Sequence, residues 1–372
     1  MIEHNNAFAT RIRLFAWQAC WAIAALPVLR PVPSLRRLVV NLFGGNIHRS
    51  ARIYPSTHIK IPWHLTMESD AGMGDGVICD NDFPVHIGRL AVVSLRARLA
   101  ARRRPQERDA LSAQTDFSIC IEPHAWVMAE ATVESGVTVG EGAVLGARAI
   151  ANESLTPWGV YVGNPARLIH SRDKDGYLAT VNERGTGERA GQWNAGSAPS
   201  TQSHLLRRHI NFANRAKRWA WNLLWTLLAR PLPTRNWQLR VRLVNLFGGQ
   251  VHATVRIDGR TRIWAPWNLL AESGTTIVGD ADIYSVERVE IGKNVVIGAG
   301  AFLCTASHDY NDGRLPLLAA PIHIGDDATL GADSFLGAGV TVGPSAKVGA
   351  GAVVVRDVAS GVRVSGNPAR PC

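Results

Sequence analysis

Cysteine is scarce in this chain of 372 residues: five are present, at Cys20, Cys79, Cys120, Cys304 and Cys372. None stands in a CxxC pair, and the five scattered thiols make no disulfide framework. They read as the reduced thiols of a cytosolic protein. A long apolar run is also missing. The longest uncharged stretch of mainly apolar residues, 14–29, has 16 residues and is broken by Pro27, short of the ~20 that span a bilayer. Behind Arg11 and Arg13 it has the outline of a signal peptide. A matching stretch at 219–229 lies in mid-chain, where no signal peptide belongs, so both read as helices leading into domains. Extreme composition is absent too: with 46% apolar and 19% charged residues the chain is not disordered and, despite 35 Gly, not collagen-like. Its length exceeds the roughly 250–300 residues that one core organises, which implies two or more domains.

What is present is a duplication. Asn41-Leu42-Phe43-Gly44-Gly45 recurs as Asn245-Leu246-Phe247-Gly248-Gly249, and Pro62-Trp63 as Pro266-Trp267, both offset by 204. Gly136–Gly140 matches Gly339–Gly343, and Gly163-Asn164-Pro165-Ala166-Arg167 matches Gly366-Asn367-Pro368-Ala369-Arg370, offset by 203. The domains expected are 1–170 and 205–372. Between them, 171–204 is rich in Gly, Ser and charge and reads as a linker.

A finer period runs inside each copy. Ile324, Leu330, Leu336, Val342, Val348 and Val354 fall every six residues, and Gly follows the first five. Val251, Ile257, Ile263 and Leu269 keep the step, as do Ile47, Ile53, Ile59 and Leu65. Six fits neither an α-helix nor a free strand. It fits a triangular parallel β-helix with one hexapeptide per side, the aliphatic residue inward and Gly easing each corner. The fold class expected is mainly β: two left-handed parallel β-helix domains, each preceded by a short helical segment. Those segments carry Trp17, Trp21, Trp219, Trp221, Trp225 and Trp237 among basic residues. The favoured reading is a helix packed on the first coil; the other is a helix lying at a membrane surface.

The period breaks between Leu303 and Ile324, so residues 307–320 must loop out of the prism. The stretch Cys304-Thr305-Ala306-Ser307-His308-Asp309-Tyr310 puts an imidazole in a polar loop on a rigid scaffold. An imidazole near its ordinary pKa is suited to deprotonating a hydroxyl.

The hexapeptide period, this loop, the stretch "RIWAPWNL" and the terminal "GNPAR" together resemble the left-handed β-helix acyltransferases. The closest branch is the colanic-acid-type (WcaF-like) exopolysaccharide O-acetyltransferases. The resemblance covers essentially all of 205–372, and 10–170 in outline. It implies a trimer with active sites between neighbouring prisms, acetyl-CoA as donor, no metal, and a sugar or lipid-linked oligosaccharide as acceptor. By position His308 is the general base and the backbone N–H of Ala332, after Gly331, the oxyanion donor. Gly349 and Ala350 match positions along the pantetheine. Arg356 and Arg370 match positions near the nucleotide phosphates, and Asn367 and Pro368 set the turn that carries Arg370. Asp282, Tyr284 and Asp309 are acceptor candidates; Asp282 and Tyr284 read equally well as solvated face residues. One departure is Thr329, where the family often has the Trp that the first copy keeps as Trp126.

In the first copy the base position falls at Arg104 or its neighbour, and no His lies between His86 and His124. Arginine stays protonated and cannot be a base. This copy therefore reads as degenerate and catalytically silent. Its loop holds six Arg from Arg96 to Arg108 against Glu107 and Asp109. Without a nucleic-acid-binding fold or interleaved aromatics this points to anionic small molecules or a membrane surface rather than nucleic acid. The location expected is the cytoplasm, with the inner face of the membrane left open. Two rivals stand beside the acetyltransferase. One is a non-catalytic glycan-binding or assembly scaffold of the same fold. The other is a γ-class carbonic anhydrase, which needs three converging His, whereas His252, His308 and His323 lack the close pair.

Overall fold

The computed structural model describes residues 2–26, 32–102, 116–185, 212–313 and 315–372. The chain divides into two compact units, Met1–Gln192 and Trp193–Cys372. The first opens with helices α1 (Ile2–Ala24) and α2 (Pro33–Leu42). Short strands then stack in parallel into three ladders, one of which runs Asn46–Ile47, Leu65–Met67, Val85–Ile87, Ile119–Ile121, Thr138–Val139. Each strand pairs with the strand one coil further on, which is the register of a parallel β-helix. The inward residues Ile53, Ile59, Met73, Val93, Leu99 and Val133 are all buried. Each such side chain removed from water contributes about 1.5–3 kcal/mol, which is what holds the stack together.

The six-residue step predicted on every side holds on two sides of the early coils only. Asn46 pairs with Thr66, Arg52 with Gly72 and His58 with Ile78, a spacing of 20. Later, Cys120 pairs with Thr138 and Trp126 with Val144, a spacing of 18. The extra two residues fall at one corner, so the partner of Ile47 is Met67, with Leu65 buried just before it. Likewise Val251 pairs with Ala271 and not with Leu269. The wide corner holds a 3-10 turn, Pro62–His64 or Pro266–Asn268. A buried side chain closes it. Asn81 receives a hydrogen bond from the Ile61 N–H (2.9 Å) and donates one to the Ile61 carbonyl (2.6 Å). Ser285 does the same for Ala265 at 3.1 and 3.0 Å. The Pro-Trp motif is thus a corner piece.

The predicted linker 171–204 is structured at its start. The strand Arg167–Ser171 runs into it, and helix α3 (Lys174–Gly185) follows. Tyr177 of α3 is buried, its ring 5.5 Å from those of His124 and Trp158. An aromatic anchor outweighs the Gly-rich, polar composition that suggested a linker.

The second unit repeats the plan with α4 (Phe212–Leu224), a π turn (Trp225–Ala229) and α5 (Trp237–Leu246). The packing of α1 and α4 on the first coil follows the sequence repeat. The indole N–H groups of Trp17 and Trp21 donate to the carbonyls of Ile59 and Thr57, both at 3.0 Å. Trp221 and Trp225 donate to Ile263 (2.6 Å) and Thr261 (3.0 Å). The repeated Asn starts each ladder: Asn41 brackets Ile47 and Asn245 brackets Val251 through both backbone groups.

Gly298, Gly325, Gly331 and Gly343, each after an inward aliphatic, serve closeness and not corner geometry, contrary to expectation. A Cβ on Gly331 would lie 2.5 Å from the Ala350 nitrogen, and one on Gly298 would lie 2.6 Å from that of Ala332. Positive φ falls two residues later, at Asp333 (52°), Ser345 (57°) and Asp327 (59°). Asp and Asn adopt that conformation at less cost than most residues.

Candidate active site

The period break in the second unit is an antiparallel hairpin, Ala306–His308 against Leu317–Ala319, with His308 opposite Leu317. Its base is tied to the prism. The Thr305 hydroxyl donates to the Tyr284 carbonyl (2.8 Å), and the Ala320 N–H donates to the Thr305 carbonyl (3.0 Å). Near the tip the Asp309 N–H bonds the Pro316 carbonyl at 3.0 Å.

His308 is partly buried, and its Nδ1 lies 2.7 Å from the Leu315 carbonyl oxygen. A carbonyl only accepts, so Nδ1 carries the hydrogen, and in the neutral ring Nε2 is the accepting nitrogen. Leu315 adopts φ of 50°, an uncommon conformation for leucine, which turns that carbonyl towards the ring. Burial lowers the His308 pKa below its ordinary value; hydrogen bonds to the backbone at Leu315 and Pro316 oppose the shift. The lowered pKa and the Nδ1–H bond favour the neutral ring, with Nε2 as its accepting nitrogen.

The strand Asp282–Tyr284 pairs with Phe302–Cys304, which leads into the hairpin, so Tyr284 lies beside Cys304. Asp282 is ion-paired with Arg262 at 3.1 Å. The Asp309 carboxylate accepts the Asn311 N–H (2.9 Å) and so shapes the hairpin tip. A row of rings lines this face: Trp264 to Tyr284 at 5.4 Å, Tyr284 to Phe302 at 6.4 Å, Phe302 to Phe335 at 5.4 Å. Arg218 caps the row, 4.2 Å above Trp264. Phe302 and Phe335 precede the inward Leu303 and Leu336, so strand alternation turns them outward, yet both are buried. The sequence reading missed this wall. Its signal was available: aromatic residues at two outward positions of the period, where polar ones are the rule.

Gly331 and Ala332 form the turn after the strand Thr329–Leu330, stacked on Gly349 and Ala350 one coil on. The Gly331 and Gly349 N–H groups bond the carbonyls of Val348 and Val364, both at 2.8 Å. The next N–H in each turn, that of Ala332 and of Ala350, has no partner among the described residues, and both residues are exposed. The coil edge thus presents a column of outward amides. Arg356 is exposed beyond it, and Arg370 is exposed in the strand Arg370–Pro371, paired with Ser365. Asn367 and Pro368 make the intervening turn. Thr329 stands in register with Val296 and Lys347, where Trp126 stands in the first unit, buried and hydrogen-bonded to Ser94 at 2.6 Å.

In the first unit the base position, Arg104, and the loop from 103 to 115 lie outside the described residues. His124 is buried, with Nε2 3.2 Å from the Arg89 guanidinium. Burial first, and then Arg89, hold its pKa below the usual range. It is a packing residue of the coil. Among the described residues no three His, Cys, Asp or Glu side chains are grouped to hold a metal ion.

A prism of stacked parallel coils that extrudes a hairpin at one break of its period defines a class, the hexapeptide-repeat proteins. Comparison with known proteins agrees. The family described as hexapeptide repeat of succinyl-transferase matches residues 321–356. The putative colanic acid biosynthesis acetyltransferase WcaF of Escherichia coli K12 is 32% identical over 137 residues, 37% of this chain and 75% of that protein. A chloramphenicol acetyltransferase of Agrobacterium fabrum is 40% identical over 58 residues, 16% of this chain and 28% of that one. A solved hexapeptide-repeat acetyltransferase of Vibrio cholerae is 26% identical and covers 45% of this chain and 96% of its own, with a TM-score of 0.41. The chain belongs to the hexapeptide-repeat acetyltransferases of the WcaF type, and it is an acyltransferase.

Proposed function

We propose that the C-terminal unit transfers an acetyl group from acetyl-CoA to a sugar hydroxyl, in the assembly of a surface or exported glycan. The observation that carries this is the His308 ring in the extruded hairpin, with Nδ1–H held by the Leu315 carbonyl. Nε2 takes the hydroxyl proton as the oxygen attacks the thioester carbonyl and the new C–O bond forms. The resulting oxyanion is met by the Ala332 N–H, an amide with no competing partner inside the described chain. Collapse breaks the C–S bond, and the imidazolium returns the proton to the CoA sulfur. Gly349 and Ala350 give the pantetheine a close, unobstructed approach, and Arg356 and Arg370 meet the nucleotide phosphates. Tyr284 and the ring wall face the acceptor, Asp282 and Asp309 supply hydroxyl contacts, and three chains form a trimer that completes each cleft.

The name of the WcaF relative supports a glycan acceptor. The first unit, with Arg104 at the base position, supports assembly or acceptor binding without catalysis. The test is acetyl transfer from acetyl-CoA to a panel of mono- and oligosaccharides, with the modified hydroxyl located by NMR. Acetylated sugar that disappears in His308→Ala supports the reading. Absence of transfer to every acceptor with an intact fold favours the scaffold.

A further inference from the structure

We infer that the outer faces of α1 and α4 form a duplicated docking surface for an anionic phospholipid membrane. The inward faces of these helices carry the paired Trp residues already described. Their outward faces are also apolar. On α1, Ile12, Phe15, Ala19, Ala22 and Ile23 are all exposed, as is Leu26 just past its end. They follow the i, i+3, i+7, i+11 spacing that puts them on one stripe opposite Trp17 and Trp21. On α4 and its π turn the same stripe reads Ala216, Trp219, Leu223 and Leu227, again exposed. Phe15 and Trp219, 204 residues apart, are 76% and 63% exposed; Ile23 and Leu227, also 204 apart, are 60% and 63% exposed. The second helix of each pair adds Leu42 and Leu246, 73% and 77% exposed. A large ring bare at the same place in both repeats is a patch with a purpose rather than scattered surface leucines.

Charge identifies the occupant. Residues 4–67 contain no Asp or Glu and 8 Lys or Arg, and residues 189–257 contain none and 11. The rest of the chain holds 21 Lys or Arg against all 30 acidic residues, a balance of −9. The net positive charge of the chain therefore comes from these two stretches, which carry the two helical segments and the first coils they pack on. Beside each stripe, Arg11 and its counterpart Arg215 are exposed, as are Arg230 and Arg242. Arg13 and Lys217 lie over Trp63 and Trp267 at 4.0 and 4.3 Å. No helix among the described residues is long and apolar enough to cross a bilayer. An apolar stripe edged with arginine, on a helix that is not both long and apolar enough to span, is the arrangement of an interfacial helix, with rings among the acyl chains and guanidinium groups among phosphates. A lipid-linked acceptor would be reached from that position, and the test of the docking surface needs neither acetyl-CoA nor an acceptor.

The test is flotation of the full chain with vesicles of phosphatidylcholine alone and of phosphatidylcholine with about one third phosphatidylglycerol. Binding should require phosphatidylglycerol and weaken with salt. Phe15→Gln with Ile23→Gln, and Trp219→Gln with Leu227→Gln, alter only exposed side chains. Each pair should lower partitioning at least tenfold, with unchanged circular dichroism and sedimentation velocity. Wild-type chain that stays unbound, binds neutral vesicles equally, or loses nothing on substitution overturns the inference. So does a lowered oligomeric state in the variants without vesicle binding by the wild type, which would make the faces contacts between copies of the chain.

Discussion

The pH dependence of acetyl transfer reads the state of His308 directly. A base with the ordinary histidine pKa of about 6.5 is only about 24% deprotonated at pH 6.0. Burial lowers the His308 pKa, and the backbone hydrogen bonds only partly offset this. The unprotonated fraction at pH 6.0 is therefore larger, and the acid limb of kcat/KM lies below 6.5. The perturbation is pH alone, from 5.0 to 8.0 at constant ionic strength and saturating acetyl-CoA, with free CoA thiol as readout. A limb at or above 6.5, or a flat profile, would refute the reasoning. The same ring has a stability consequence whose sign is fixed. The unfolded chain takes up the proton at higher pH than the folded one, so the stabilisation present above about 6.5 is lost as pH falls through the folded pKa. His124, also shifted down, acts in the same direction in the first unit.

Further outcomes follow from the packing. Ile297→Ala, at a fully buried inward position, should destabilise the second unit by about 2–5 kcal/mol in urea unfolding. Val296→Ala, its outward neighbour at 41% exposure, should cost well under half of that; equal losses would contradict the alternation of faces. Gly331→Ala forces a methyl against the Ala350 nitrogen and should cost about 1–3 kcal/mol as a lower thermal midpoint. A neutral result would show that the coils are not in close contact there. Ala332→Pro removes the proposed oxyanion donor and should lower kcat about 10²–10³-fold. Full activity in a folded variant would take that role from Ala332.

Much of this was readable in the residues because it is periodic. The 204 offset gave the duplication, and the six-residue step gave the prism, since a repeated inward aliphatic has no other economical explanation. His308 stood out because it interrupted that step. The wide corner at Pro62–His64 was not readable, because Leu65 and Met67 both satisfy an apolar pattern and only strand pairing separates them. The Leu315 carbonyl that orients His308 depends on a backbone conformation to which leucine gives no clue. Helix α3 was hidden by polar composition, with Tyr177 its one buried anchor. The outward stripe of α1 was masked by the inward one, since a helix apolar on two faces shows little amphipathic contrast.

The central claim is that His308 is the base of an acetyl transfer performed by the second unit. Its most direct test compares wild type and His308→Ala, full chain, for acetyl-CoA-dependent acetylation of the best sugar acceptor, with folding checked by circular dichroism. The account predicts a 10²–10⁴-fold fall in kcat with the fold retained; undiminished activity in the folded variant would contradict it.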